Sequence, residues 1–358
     1  MRKNERMISM KKLLCLFMAA VSVLTVLAGC AGKPADPTTA PTEVTQSPEE
    51  AAVYKILMIG QSLAQDTVWL LYDVLKAEMP DKEFVVGDVY KSTDLDEHVE
   101  NIKNNAPVYV YYECTEAGRG RYEEYTIDAA LKAQQWDLIM FNDATYNTTQ
   151  ERDFLDGDHE FMIDHIRKTA APGYRLAYNA TGARPTSAEL YTANRAKVPE
   201  NNRENLMARF EGGKRNLYYS MICANIEKYI ETNEEFDLVF YTGTALQYAS
   251  ETHGVPEALP ERTIDLYRDY VHLSDFGRLL VAYQLYAQIY GLEELTEVNV
   301  DVIKARDRAT ERERAFGDLQ ITQEGKDAII ASVNYALKNP NTEPPQTARE
   351  PAVLEPLP

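Results

Sequence analysis

Five short apolar runs are spread widely through the middle of the chain, at residues 54–59, 83–90, 136–141, 174–178 and 236–241. Each is mostly continuous in its apolar character, the pattern of parallel strands covered on both faces. Between them, apolar residues recur at helical spacing. Val68, Leu71, Tyr72 and Leu75 predict a first helix over 66–79, with Asp66 as its N-cap. Leu279, Tyr283, Tyr286 and Tyr290 mark one face of a last helix that Ser274 starts and Gly291 stops. Strands alternating with helices predict an α/β fold: three layers around a doubly wound, mostly parallel five-stranded sheet. Residues 108–114 and 121–126 flank the turn-like Ala117-Gly118-Arg119-Gly120 and predict an inserted hairpin. It carries Tyr109, Tyr111, Tyr112, Tyr122 and Tyr125. Polar, Asn/Arg-rich residues 181–215 predict an irregular loop region with a short helix over the sheet edge.

The two ends have a different character. Lys11 and Lys12 precede an apolar stretch, 13–27, that is too short for a stable membrane span and closes in Leu27-Ala28-Gly29-Cys30. This ending resembles the lipobox of bacterial lipoproteins. It implies a signal peptide over 1–29, acylation of Cys30, and an extracytoplasmic protein lipid-anchored to the membrane of a bacterial cell envelope. A plain secretory signal with an incidental cysteine is the alternative. Residues 30–52, rich in Pro, Thr and Glu, are expected as a disordered tether, and 339–358 as a disordered Pro-rich tail. One domain is expected between them, over 53–338.

The formal net charge is −19, and the segment before Cys30 is itself basic, so the body is more acidic still. Such a body repels nucleic acid and anionic headgroups, which excludes both as expected partners and leaves the Cys30 anchor as the membrane attachment. Only Cys114 and Cys223 fall within the body, too few for a disulfide framework. One bridge and two thiols both fit their spacing.

Ligands of parallel sheets bind beyond the carboxyl ends of the strands. Gly60-Gln61-Ser62-Leu63-Ala64-Gln65-Asp66 starts at that edge, directly after the first run. Asp269-Tyr270-Val271-His272 follows some two hundred residues later. Together they offer a nucleophile in Ser62, a base in His272 and an orienter for it in Asp269. Asn142-Asp143, after the third run, places an amide at the same edge, where Asn142 can donate to an oxyanion. Taken singly, these are a helix cap, a surface turn and a strand-end turn; their order along the chain carries the signal. His98 is expected as a partly exposed structural residue on a helix over 94–103. Asp158, His159, Asp164 and His165 lack a ligand spacing of known metal preference and are expected as solvated loop and helix residues. Gly212-Gly213-Lys214 follows no strand and makes no phosphate loop. No metal or cofactor is expected.

That order resembles the SGNH (GDSL-type) hydrolase superfamily, and is nearest to an uncharacterised branch of SGNH-like bacterial proteins. Further stretches carry the likeness: Val85-Val86-Gly87-Asp88-Val89-Tyr90 with Leu95 and His98, Trp136-Asp137, Thr242-Gly243-Thr244-Ala245-Leu246-Gln247, and Arg268 to Ser274 with Gly277. The resemblance implies a flavodoxin-like SGNH hydrolase fold with Ser62 as nucleophile, His272 as base and Asp269 as its orienter. Oxyanion donors would be the Ser62 N–H and the Asn142 amide. The second block normally offers a glycine, whereas this chain has Lys91-Ser92-Thr93-Asp94, so the N–H of Ser92 or Thr93 takes that place. By analogy the substrate is a small ester or an acylated carbohydrate that loses acetyl or another short acyl group. The competing reading is a non-catalytic surface lipoprotein that binds a glycan or other ligand on the same scaffold. A two-lobed solute-binding lipoprotein fits the single strand series poorly.

Overall fold

The structure is a computed structural model that describes residues 53–183, 217–252, 266–267, 271–300, 303 and 321–345. The expected signal segment with Cys30, most of the 181–215 loop region, Gly212-Gly213-Lys214 and Asp269 lie outside the described residues.

All five predicted parallel strands form: β1 (Val53–Gly60), β2 (Glu83–Tyr90), β5 (Leu138–Phe141), β6 (Arg175–Asn179) and β7 (Leu238–Phe240). Their side chains alternate between two cores, as the two-residue repeat of a strand requires. Tyr54, Ile56 and Met58 of β1, Phe84 and Val86 of β2, and Leu138 and Met140 of β5 enter one core. Leu57 and Ile59, Val85 and Val89, and Ile139 and Phe141 enter the other. Helices cover both faces. On the first lie α1 (Ser62–Val68), α2 (Leu71–Glu78), α7 (Thr242–Thr252), α8 (Asp275–Ile289) and α9 (Gln323–Lys338). On the second lie α3 (Leu95–Lys103), α4 (Ile127–Ala133), α5 (Asp158–Thr169) and α6 (Leu217–Asn225), the last continuing into a π turn over Ile226–Ile230.

The sheet has seven strands rather than five. The inserted hairpin, β3 (Tyr109–Thr115) and β4 (Gly118–Tyr125), is not a separate decoration but pairs antiparallel onto β2. The order is β4-β3-β2-β1-β5-β6-β7. Pairing satisfies the outer N–H and C=O groups of β2, which would otherwise be an open edge. It also drives Tyr109 and Tyr111 into the second core.

Three further expectations are corrected. The first helix starts at Ser62 under a Gln61 cap and breaks after Val68. At the break, Arg119 Nη2 donates to the Trp69 carbonyl at 2.6 Å, supplying a partner that helix continuation would have provided. Asp66 is therefore no cap but a buried residue within α1. His98 is 1 % exposed, with Nδ1 2.8 Å from the Tyr109 hydroxyl, rather than partly exposed. His159 is likewise buried, stacked on Phe154 with ring centroids 4.9 Å apart, and His165 Nε2 sits 2.7 Å from Asp128 Oδ1. Cys114 and Cys223 are both free thiols. Of the proline-rich C-terminal segment, residues 339–345 are described: Asn341 donates to the Cys223 carbonyl at 2.9 Å and Pro344 is buried.

Candidate functional site

β1 and β5 end side by side, and a few residues weld their carboxyl ends into one rim. Gln61 spans the gap. Its Oε1 accepts from the Leu63 N–H as the cap of α1, and its Nε2 donates to the Asp143 carbonyl at 3.4 Å. Gly60 lies where no side chain fits, since a Cβ there would meet Ala64 Cβ at 2.6 Å. This tight exit from the strand puts Ser62 on the first turn of α1, half-buried at the rim.

His272 arrives from the turn before α8. Ser274 caps that helix by accepting from the Gly277 N–H, and its own N–H donates to the Leu266 carbonyl at 2.9 Å. Gly277 is required because a Cβ would come within 2.2 Å of that same carbonyl oxygen. The turn brings His272 Nε2 to 2.9 Å from Ser62 Oγ, across 210 residues of sequence. With the ring proton on Nδ1, Nε2 is the acceptor and the hydroxyl the donor, the arrangement a general base requires.

Beneath this pair, Asp66 Oδ2 accepts from the Leu273 N–H at 2.8 Å, while Oδ1 accepts from Arg278 Nε at 2.7 Å and Nη2 at 2.6 Å. Asp88 lies on β2 under the same helix, and Gln65 Nε2 donates to its Oδ2 at 3.1 Å. Burial pushes the Asp88 carboxyl up to about 7. Neither role was read from the sequence. For Asp66 a signal existed, since it stands four residues after Ser62 and so on the same helix face.

Ser62 opens into a cleft of about 370 Å³ that is also lined by Ser92, Thr93, Asp94 and Val271. Ser92 is thus brought to the site. The Thr93 N–H donates to the Lys91 carbonyl at 2.9 Å, so Ser92 is the better second-block candidate. Asn142 packs behind Gly60, its Oδ1 2.7 Å from where a Cβ of that glycine would be. It is 2 % exposed and does not line the cleft, and among the described residues neither of its side-chain polar atoms has a partner. Asp143 turns inward: its Oδ1 accepts from the Ala144 N–H at 2.6 Å and from Asn147 Nδ2 at 3.2 Å, and burial pushes its carboxyl up to about 7. Among the described residues no group of three or more His, Cys, Asp or Glu side chains could hold a metal ion.

A second, smaller cavity of about 20 Å³ adjoins the cleft through Leu63, Thr145 and Val271. Its walls are mostly carbon. Thr67, Thr145 and Thr242 direct their hydroxyls to the Leu63 carbonyl, the Gly182 carbonyl and Asn179 Oδ1.

Among solved structures, the chain is similar to a DUF4886 family protein from Bacteroides uniformis ATCC 8492. The TM-score is 0.61 and the identity 21 %, over 83 % of this chain and 98 % of that one. A more distant likeness is to a candidate SGNH hydrolase from Slackia heliotrinireducens, at a TM-score of 0.36 and 14 % identity over 65 % of this chain and 97 % of that one. No curated protein matches the chain. The family described as "Domain of unknown function (DUF4886)" matches residues 55–316, most of the chain, and the protein belongs to that family.

Proposed function

We propose that this protein is a serine ester hydrolase of SGNH type. One observation carries the reading: His272 Nε2 stands 2.9 Å from Ser62 Oγ, at the carboxyl edge of a parallel sheet and open to a cleft. Together they match a nucleophile with its base. Ser62 Oγ attacks the ester carbonyl as its proton passes to His272 Nε2. The tetrahedral oxyanion takes hydrogen bonds from the Ser62 N–H and the Ser92 N–H, and the Asn142 amide, enclosed behind Gly60, joins them once a shift of the rim opens it to the cleft. The imidazolium then protonates the departing alcohol, leaving an acyl-enzyme, and a water activated by the same imidazole frees the acid. Asp269, three residues before His272, holds the imidazole in the required tautomer.

The small cavity supports a short acyl group. About 10–15 Å³ of such space holds one water-sized group, so 20 Å³ suits a methyl and little more. The substrate is an acetylated or otherwise short-acylated carbohydrate met outside the cytoplasm, with Cys30 carrying the lipid anchor. Support for that part comes from the lipobox-like Leu27-Ala28-Gly29-Cys30 and from the acidic body, which disfavours anionic polymers.

The test is labelling by a fluorophosphonate probe and turnover of 4-nitrophenyl acetate, each by the wild type and by Ser62→Ala. Labelling and turnover that vanish in Ser62→Ala bear the reading out. Neither in the wild type would leave a ligand-binding protein, the reading favoured by the missing second-block glycine and the enclosed Asn142. Loss of membrane fractionation in Cys30→Ala tests the anchor.

A further inference from the structure

On the hydrolase reading above, we infer that Asp66 is a positioning residue that sets the distance between the nucleophile and its base. Ser62 and Asp66 stand one helical turn apart on α1, on the same face. Ser62 meets His272 Nε2, and the Asp66 carboxylate holds the N–H of Leu273, the very next residue. A single short helix thus touches the ring of the base from its first residue and, one turn on, the backbone N–H of the residue that follows the base. The Ser–His separation is fixed across about one ~5.4 Å turn of helix rather than through the sheet.

The carboxylate is fully engaged. Arg278, in the first turn of α8, gives it two hydrogen bonds, reaches Asp275 Oδ1 at 3.3 Å and lies over the Trp69 ring at 5.2 Å. Side-chain exposure is 1 % for Asp66 and 3 % for Arg278. Desolvation of such a pair offsets most of its Coulombic gain, so net stability is a weak reason for placing it here. Geometry is a better one. Three bonds from one carboxylate join α1, the His272 turn and the start of α8, and leave the imidazole little freedom to swing from the hydroxyl. A misplacement of roughly 1 Å in such a site costs about 100-fold in rate.

The experiment measures kcat and KM for 4-nitrophenyl acetate, and the rate of fluorophosphonate labelling, for the wild type, Ser62→Ala, Asp66→Ala, Asp66→Asn and Leu75→Ala. Leu75 is a core residue of α2 that lines neither the cleft nor the small cavity and controls for lost stability. All variants are assayed at a temperature where circular dichroism shows them folded. Asp66→Ala is expected to lose about 100-fold in kcat and in labelling rate with KM nearly unchanged. Asp66→Asn keeps an acceptor for the Leu273 N–H and is expected to recover much of that loss, while Leu75→Ala keeps the wild-type kcat. Should Asp66→Ala not fold, Asp66→Asn decides, with about a tenfold loss in kcat expected from the broken Arg278 pair. A folded Asp66 variant with wild-type kcat and labelling overturns the inference while leaving the hydrolase intact. Wild-type protein without Ser62-dependent turnover or labelling overturns the hydrolase reading and this inference with it.

Discussion

Gly60 and Asn142 approach so closely that no side chain fits between them: a Cβ on the glycine would stand 2.7 Å from Asn142 Oδ1. The same Cβ would meet Ala64 Cβ at 2.6 Å, on the turn of α1 that follows Ser62. Gly60→Ala must therefore push the strand exit, the nucleophile turn or the amide. Overpacking of this kind costs about 1–3 kcal/mol. A lower urea midpoint is expected, together with a fall in kcat that persists where the variant is fully folded. Wild-type values of both would show that the rim has slack the distances deny.

Among the described residues nothing partners the buried Asn142 amide, a state that costs about 1–3 kcal/mol unless something supplies the bond. A transition-state oxyanion would supply it. Asn142→Ala is expected to lower kcat by about 100- to 1,000-fold with little change in KM, the usual result of deleting one such donor. A loss below threefold would move the oxyanion hole to the Ser92 side of the cleft.

Much of the strand framework is legible in the sequence alone. The strands announced themselves because both their faces are buried, as the split of Tyr54, Ile56 and Met58 from Leu57 and Ile59 shows. Ser274 was recognisable as a cap because a Ser before a helical apolar pattern has a local cause. The places of Ser62 and Asn142 are legible because each follows a strand whose end is visible in sequence, and that of His272 because it precedes a helix with a visible cap. What stayed hidden is non-local. Asp66 before an apolar run reads as a cap, and only its contact with Arg278, 212 residues away, makes it a buried anchor. The pairing of β3 on β2 leaves no mark in either segment alone. His98 is different, for its burial had a visible signal: Leu95, Val99 and Ile102 share its helix face and are all buried. His159, with Met162, Ile163 and Ile166, repeats the pattern.

Acyl-chain length should be read directly by the small cavity beside Leu63. One added methylene in a closed apolar pocket changes discrimination by about 10- to 200-fold. Ser62-dependent kcat/KM on 4-nitrophenyl esters is expected to fall steeply from acetate to butanoate. Leu246→Ala, which removes a wall of the cavity, is expected to raise butanoate relative to acetate. Equal rates on acetate, butanoate and hexanoate would mean that the acyl group lies in the open cleft instead.

Four buried titratable groups pull stability in opposite directions with pH. Burial pushes the carboxyls of Asp88 and Asp143 up from 3.8 to about 7, and pushes His98 and His159 down from 6.5 to about 4. The raised carboxyls give stability that is complete below about pH 4 and lost as pH rises through about 7, because the folded state holds the extra protons. The depressed imidazoles give stability that is complete above about 6.5 and lost as pH falls towards 4, because the unfolded state binds more protons. Between about pH 4.5 and 6 these two pairs nearly cancel. Asp88→Asn keeps a partner for Gln65 but removes one falling contribution. Its unfolding free energy, measured by urea at pH 4.5 and 6.0, is expected to climb relative to wild type by about 2 kcal/mol across that interval. The difference between the two proteins cancels the titrating groups that do not interact with Asp88. Parallel curves would mean that the Asp88 carboxyl is already ionised in the folded protein at pH 4.5.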